Sequence, residues 1–356
     1  MSEKVLMKGA EVVGEAAIKA GCRLFFGYPI TPQNEAPGYM SKRLPEVGGV
    51  FLQAESEVAA INMLYGAAGS GHRVMTSSSS PGISLMSESI SYIAGAELPV
   101  VIVNVMRGGP GLGNIGPAQG DYFQSTKGGG HGDYRLVTLA PCNLQEQVDL
   151  MYDCFDIADQ YRNPVMLLLD GLLGQIMEAV EFKREKNLED LLSKPWAANG
   201  RKNRPKNLIN SFTLDLDGLE KHNQNLQKKY EEIKKNEVRY EEYMTQDAEI
   251  VIVAYGTMAR ICKTSIDQMR KEGFKVGFLR PITLWPFPEK ILEQLAQKEN
   301  IKSFFVFELS AGQMIEDVLL STKHRKPVYF HGRMGGNVPT TKEVIEKITE
   351  KIKEGK

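Results

Sequence analysis

Cysteine is scarce and scattered in this sequence. Cys22, Cys142, Cys154 and Cys262 are the four it has, and no two stand in a C-x-x-C arrangement. A zinc ribbon and the ligand set of an iron–sulfur cluster are thereby excluded, and the thiols are expected to be reduced and packed as small apolar groups. A surplus of either charge is also missing, with 43 Lys and Arg against 44 Asp and Glu. Nucleic-acid and anionic-membrane binders carry a basic excess, so neither partner is expected. No uninterrupted apolar run reaches the ~18 residues of a membrane span. The opening Met1-Ser2-Glu3-Lys4 is polar and leads into an amphipathic segment rather than an apolar signal core, which makes the cytoplasm the expected setting. Walker A, G-x-S-x-G and H-E-x-x-H sequences do not occur, so P-loop, serine-hydrolase and zincin chemistry have no motif here.

What is present is an alternation of helix and strand patterns. At a soft ~150 residues per domain, 356 residues leave room for two. Residues 10–19 have helical periodicity, 22–26 read as a strand, 57–68 as an Ala-rich helix and 73–77 as a strand. Ser80-Pro81 gives an N-cap and a first-turn proline for a helix to about 94. Residues 100–106 and 164–169 are continuous apolar runs, as in strands buried on both faces. Between them, Asn143-x-x-Glu146 resembles a capping box that opens a helix to about 160. After Phe182 the composition turns to Lys, Glu and Asn, and 183–246 reads as a charged linker with a surface helix over 219–243. Beyond 247 the pattern resumes, with strands at 249–257, 276–279, 303–308 and 328–330. The expected fold is α/β, with two doubly wound parallel-sheet domains at 1–182 and 247–356.

The strand at 22–26 breaks into Gly27-Tyr28-Pro29-Ile30-Thr31-Pro32, a rigid loop with one hydroxyl at a strand's carboxyl end, where ligands bind in open α/β sheets. On the next helix, Glu57 is followed three, four, seven and eight positions later by Ala60, Ile61, Leu64 and Tyr65, a stripe fit for burial. Glu55 has a more mixed face behind it. Glu57 is therefore the inward carboxyl, able to act as an acid near neutral pH if buried and unpaired; the plainer alternative is a helix-dipole glutamate. Arg107 ends the strand at 100–106, where a guanidinium suits a carboxylate with bidentate geometry, a surface salt bridge being the alternative. The Gly-rich, nonperiodic stretch 107–135 has the length of a functional loop. Ser77-Ser78-Ser79-Ser80-Pro81-Gly82 resembles an anion-binding turn before a helix. No histidine is given a catalytic role.

Taken together, Gly27-Tyr28-Pro29-Ile30-Thr31-Pro32, Glu57-Val58-Ala59-Ala60 with Gly66, Thr76 through Gly82, and Arg107-Gly108-Gly109-Pro110 resemble, in order and spacing, the alpha-type subunit of thiamine-dependent 2-oxoacid:ferredoxin oxidoreductases. Tyr255-Gly256-Thr257, Arg280 through Pro288, and Glu308 through Gln313 resemble the transketolase C-terminal-type domain that follows in that family. The resemblance implies a pyrimidine-binding domain over 1–182, thiamine diphosphate shared with a partner subunit, and coenzyme A as co-substrate. It assigns Glu57 to N1′ of the aminopyrimidine, Thr31 and Arg107 to the 2-oxoacid, and Tyr28, Pro29, Ser79 and Ser80 to the cofactor's surroundings. The family's G-D-G motif for Mg²⁺ and diphosphate is missing, since Gly120-Asp121-Tyr122 and Gly132-Asp133-Tyr134 lack the second glycine. With no cysteine set either, the resemblance implies no metal on this chain. It implies a beta-type partner holding Mg²⁺ and diphosphate, gamma- and delta-type subunits, [4Fe–4S] clusters on partners, and ferredoxin. Asn114-Ile115-Gly116-Pro117-Ala118-Gln119 leans the resemblance to the branched-chain (2-oxoisovalerate) type, with the 2-oxoglutarate type a near neighbour. Two other readings stand beside it: the pyrimidine-binding half of a lipoamide-linked or transketolase-like enzyme, and a non-enzymatic α/β ligand-binding or scaffold protein.

Overall fold

The computed structural model describes residues 4–354. Its strands, in chain order, are β1 (Val5–Lys8), β2 (Leu24–Gly27), β3 (Val50–Gln53), β4 (Val74–Ser78), β5 (Val101–Met106), β6 (Val137–Leu139), β7 (Val165–Asp170), β8 (Met177–Val180), β9 (Tyr240–Tyr243), β10 (Ile250–Val253), β11 (Val276–Pro281), β12 (Thr283–Trp285), β13 (Ser303–Glu308) and β14 (Val328–Gly332). They build a seven-stranded sheet ordered β12-β6-β7-β5-β4-β2-β3, a five-stranded sheet ordered β14-β13-β10-β11-β9, and a ribbon of β1 with β8. Both large sheets are parallel except at one edge strand, the α/β arrangement expected from the alternating pattern.

The two continuous apolar runs lie side by side, paired from Val101↔Val165 to Met106↔Asp170, and every residue of both is buried. Successive residues point to opposite faces. Val101, Val103 and Val105 enter a core with helices Gly9–Lys19 and Leu144–Tyr161. Ile102 and Met106 enter a second core with helices Glu57–Gly69 and Ser80–Gly95. That second core continues into Val251, Val253, Phe304 and Val306 of the other sheet, so the two sheets share it. The four cysteines are free and buried.

Residues 183–246 are fastened to both sheets. The surface helix runs Leu216–Asn236, earlier at both ends than 219–243, and turns Leu226, Tyr230 and Ile233 inward. Tyr230 meets Trp285 edge-on at 5.8 Å between ring centroids. Past its end the chain becomes β9, which pairs antiparallel with β11. In the opposite sense β12, from the second half of the chain, pairs antiparallel with β6 at the edge of the first sheet. Polar ties add to this exchange. Asp170 accepts from Thr257 N at 2.8 Å and Oγ1 at 2.6 Å. Arg280 forks onto Glu146 at 2.7 and 2.8 Å and donates through Nε to Glu241 at 2.9 Å. No helix among the described residues is long and apolar enough to cross a membrane.

Candidate active site

In the first sheet the chain steps outward from β2 to β3 and then back across to β4 and β5, which puts a topological switch between β2 and β4. The crevice outside the carboxyl ends of strands at such a switch is where open sheets bind ligands. The loops after β2, β4 and β5 and the helix after β3 all arrive there, carrying the residues picked out from the sequence.

Tyr28, Pro29 and Thr31 are exposed on the first loop. Thr31 Oγ1 accepts from Asn34 at 3.2 Å, while its carbonyl accepts from Arg107 Nη1 at 2.9 Å. Arg107 is only 8% exposed. Its Nη2 donates to Leu112 O at 3.0 Å, and its buried Nε has no partner among the described residues. Thr31 and Arg107 thus meet, through the Thr31 backbone carbonyl. One proton on each terminal nitrogen is already engaged, so a carboxylate must use those that remain. No ion pair neutralises this buried cation among the described residues, and such a charge favours an anionic ligand.

Helix Ser80–Gly95 opens one residue earlier than its serine-proline signal suggests: Ser79 is the N-cap, with extended backbone, and Ser80 is the first helical residue. Among the described residues the Ser79 hydroxyl finds no hydrogen-bond partner, and neither do the buried Thr76 and Ser78 hydroxyls of β4. Ser80 Oγ donates to Asp121 Oδ2 at 2.6 Å and accepts from Arg107 N at 3.0 Å. Asn104 Nδ2 adds a second donor to Asp121 Oδ2 at 2.9 Å. Burial pushes the Asp121 carboxyl up, and these two hydrogen bonds oppose the rise.

Helix Glu57–Gly69 begins at Glu57, because the Ser56 hydroxyl caps it by accepting from Ala59 N at 3.2 Å. Glu57 is 6% exposed, on the stripe with Ala60, Ile61 and Leu64, whereas Glu55 is exposed. Glu57 is buried and also sits at the positive end of its helix. No donor reaches its carboxylate among the described residues. Its neighbour is Gly82, where a Cβ would lie 2.8 Å from Glu57 Oε1 and closer still to Ser78 Oγ. A carboxylate without a donor beside the unpartnered Ser78 hydroxyl, with those of Thr76 and Ser79 close in the chain, makes a polar crevice that suits a ligand able both to donate and to accept.

Beside it lies a cavity of about 400 Å³ lined by Ser80, Arg107, Asp121, Leu309, Gln313 and Met334, among others. Ser80 and Arg107 reach it; Tyr28, Thr31, Glu57 and Ser79 are not among its lining residues. Asp121, Leu309, Gln313 and Met334 escape sequence reasoning as site residues. The first reads in the sequence only as an incomplete G-D-G, and the others lie in the stretches that follow β13 and β14. Gln119 holds that wall in place, donating to Tyr255 O and accepting from Leu309 N, each at 2.9 Å. A larger cavity of about 610 Å³ lies at the amino ends of the strands. Its Arg73 and Lys194 are paired with Asp159, and its Arg23 donates to the carbonyls of Ile18 and Cys22, so those cations serve the fold. Among the described residues no group of three or more His, Cys, Asp or Glu side chains could hold a metal ion.

Residues 15–246 match the family profile described as pyruvate flavodoxin/ferredoxin oxidoreductase, thiamine diphosphate-binding, and residues 248–344 match pyruvate:ferredoxin oxidoreductase core domain II. The chain is 52% identical over 345 residues to the ketoisovalerate oxidoreductase subunit VorB of Methanothermobacter marburgensis, covering 97% of each. It is 34% identical over 360 residues to the 2-oxoglutarate synthase subunit KorA of Methanocaldococcus jannaschii, covering 95% of this chain and 97% of that one. A solved 2-oxoglutarate:ferredoxin oxidoreductase from Magnetococcus marinus, with 2-oxoglutarate, coenzyme A and succinyl-CoA bound, superposes with a TM-score of 0.88 at 24% identity. That match takes in 99% of this chain and 66% of the other, and at that identity it speaks for the fold. The chain belongs to the thiamine diphosphate-binding pyruvate flavodoxin/ferredoxin oxidoreductase family, as a subunit of the 2-oxoacid:ferredoxin oxidoreductase type.

Proposed function

We propose that this chain is the substrate-binding subunit of an oxidoreductase that converts a branched-chain 2-oxoacid, 2-oxoisovalerate in preference to 2-oxoglutarate, with coenzyme A into acyl-CoA, carbon dioxide and reduced ferredoxin. The observation that carries this is the charge of the 400 Å³ cavity. Among its lining residues Arg107 is the one cation, set against Asp121, with Pro110, Ala118, Leu309, Ala311 and Met334 on the walls. One cation suits the single carboxylate of a branched-chain 2-oxoacid. The second carboxylate of 2-oxoglutarate would meet apolar wall or Asp121 and lose hydration without compensation. The 52% identity to a ketoisovalerate subunit, against 34% to a 2-oxoglutarate subunit, supports the same choice.

Thiamine diphosphate fits the crevice next to this cavity, because the Glu57 carboxylate lacks a donor and the Ser78 and Ser79 hydroxyls lack partners. When bound, it supplies a carbon nucleophile for the 2-oxo carbonyl and an electron sink for loss of carbon dioxide. Glu57 would hold a proton at the pyrimidine ring nitrogen, with Tyr28, Pro29, Ser79 and Ser80 around it. Arg107 would bind the substrate carboxylate, and Thr31 would present its hydroxyl beside it. Asp121 Oδ2 is engaged by Ser80 and Asn104, which supports assigning Mg²⁺ and diphosphate to a beta-type partner. Gamma- and delta-type partners would carry [4Fe–4S] clusters and pass electrons to ferredoxin. The test is co-expression with such partners and assay of viologen reduction with 2-oxoisovalerate, 2-oxoglutarate and pyruvate plus coenzyme A. Highest kcat/KM with 2-oxoisovalerate is expected; a preference for 2-oxoglutarate would refute the substrate reading.

A further inference from the structure

Resting on the reading that Arg107 receives the substrate carboxylate, we propose that Asp121 is a positioning residue for Arg107, acting through the Ser80 hydroxyl. Three elements meet at this point: Asn104 on β5, Ser80 at the start of its helix, and Asp121 in the loop that follows β5. The β4–β5 ladder ends at Asn104 and the β5–β7 ladder at Met106, so beyond β5 the Arg107 backbone keeps a single antiparallel bridge, to Pro117. The Arg107 N–H is held by Ser80 Oγ at 3.0 Å. A serine hydroxyl has one proton and can turn it several ways. Here Arg107 O, at 3.5 Å, competes for it with Asp121 Oδ2, at 2.6 Å. The short charge-assisted bond to the carboxylate wins, and a hydroxyl that donates to Asp121 turns its lone pair toward the Arg107 N–H. Asn104 pins the same oxygen at 2.9 Å and fixes the carboxylate's direction. Losing the Asp121 charge frees the hydroxyl to swing to Arg107 O. The backbone at Arg107 then loosens, and with it the direction of a guanidinium tied only to the Thr31 and Leu112 carbonyls.

The test uses the assembled multi-subunit complex carrying Asp121→Asn, Ser80→Ala, or both. Steady-state kinetics with 2-oxoisovalerate are paired with calorimetric binding of 2-hydroxyisovalerate, an unreactive analogue that keeps the carboxylate. Each single substitution should raise KM and the analogue's Kd about tenfold, the effect of one charge-assisted hydrogen bond, and lower kcat/KM by at least that factor. The double substitution should be no worse than either single one, because both remove the same link. Asp121→Ser keeps a polar side chain of smaller size and should give the same KM effect if Asp121→Asn assembles poorly. A fall in kcat at unchanged KM would place Asp121 in the chemical step and overturn the proposal. So would additive effects, or unchanged KM and Kd in all variants. A wild-type complex that turns over no 2-oxoacid overturns the functional reading and this inference together; an active wild type with indifferent variants overturns the inference alone.

Discussion

Gly82→Ala tests the crevice without changing a charge. Gly82 lies in the first turn of helix Ser80–Gly95, and a Cβ there would stand 2.8 Å from Glu57 Oε1. Ordinary contact begins at 3.4 Å, so the carboxylate must retreat by about 0.6 Å and the Ser78 hydroxyl must leave its place. Two effects on stability oppose each other. Alanine is the better helix former by ~1 kcal/mol, whereas overpacking a buried site costs ~1–3 kcal/mol. Crowding wins or breaks even, and a net loss of up to ~2 kcal/mol should lower the melting temperature by a few degrees. Catalysis should suffer more. If a misplacement of 1 Å costs about 10²-fold, a shift of roughly half that size predicts a loss of about tenfold in kcat. Thermal melts of the chain and viologen reduction by the assembled complex measure the two effects separately. A raised melting temperature with wild-type turnover would refute the reasoning, since it would mean that the space beside Glu57 takes a methyl group without strain.

Other substitutions separate chemistry from architecture. Glu57→Gln keeps the shape and removes the proton-holding group; kcat should fall by about 10²–10⁴ while the complex assembles at normal yield, and an unaltered rate would remove Glu57 from the chemistry. Arg280→Ala leaves Glu146 and Glu241 without the buried guanidinium they share, and urea unfolding should show a loss of ~3–5 kcal/mol. A loss below ~1 kcal/mol would show that this clamp does not couple the two sheets. Glu241→Gln should be pH-dependent. Burial raises the Glu241 carboxyl, but Lys263 and Arg280 more than reverse this and hold it below its ordinary 4.5. A depressed folded-state pKa contributes stability above the unfolded value and loses it as pH falls through the folded one. The stability gap between wild type and Glu241→Gln should therefore be open at pH 7 and close as pH falls below 4.5; a gap that persists in acid would mean that packing, not charge, is lost.

The sequence was most legible where local pattern and tertiary role agree. The β5 and β7 runs are continuous because the strands are covered on both faces, and the stripe behind Glu57 separates it from Glu55. Legibility fails by one residue where neighbours are chemically alike, as with Ser79 and Ser80 at a helix start. It fails altogether where the partner is remote. Nothing near Arg107 indicates that a carbonyl 76 residues earlier will hold its guanidinium. β9 and β12 are four and three residues long, too short for a period to show, and each is a strand only because an open edge elsewhere accepts it. Asp121 is visible in the sequence only as a departure from a diphosphate motif, whereas its carboxylate faces a serine and an asparagine of the same chain.

The crossed edge strands bear on how such a gene can be broken. A cut near residue 247, where one family profile ends and the next begins, would leave β9 and β12 each on the fragment that lacks its native partner strand. Each fragment would present a bare β6 or β11 edge, a template for pairing with foreign chains. Fission at that point survives only if the two products are made together and find each other by exchanging those strands, so an ancestor divided there would be an obligate pair of polypeptides from its first generation.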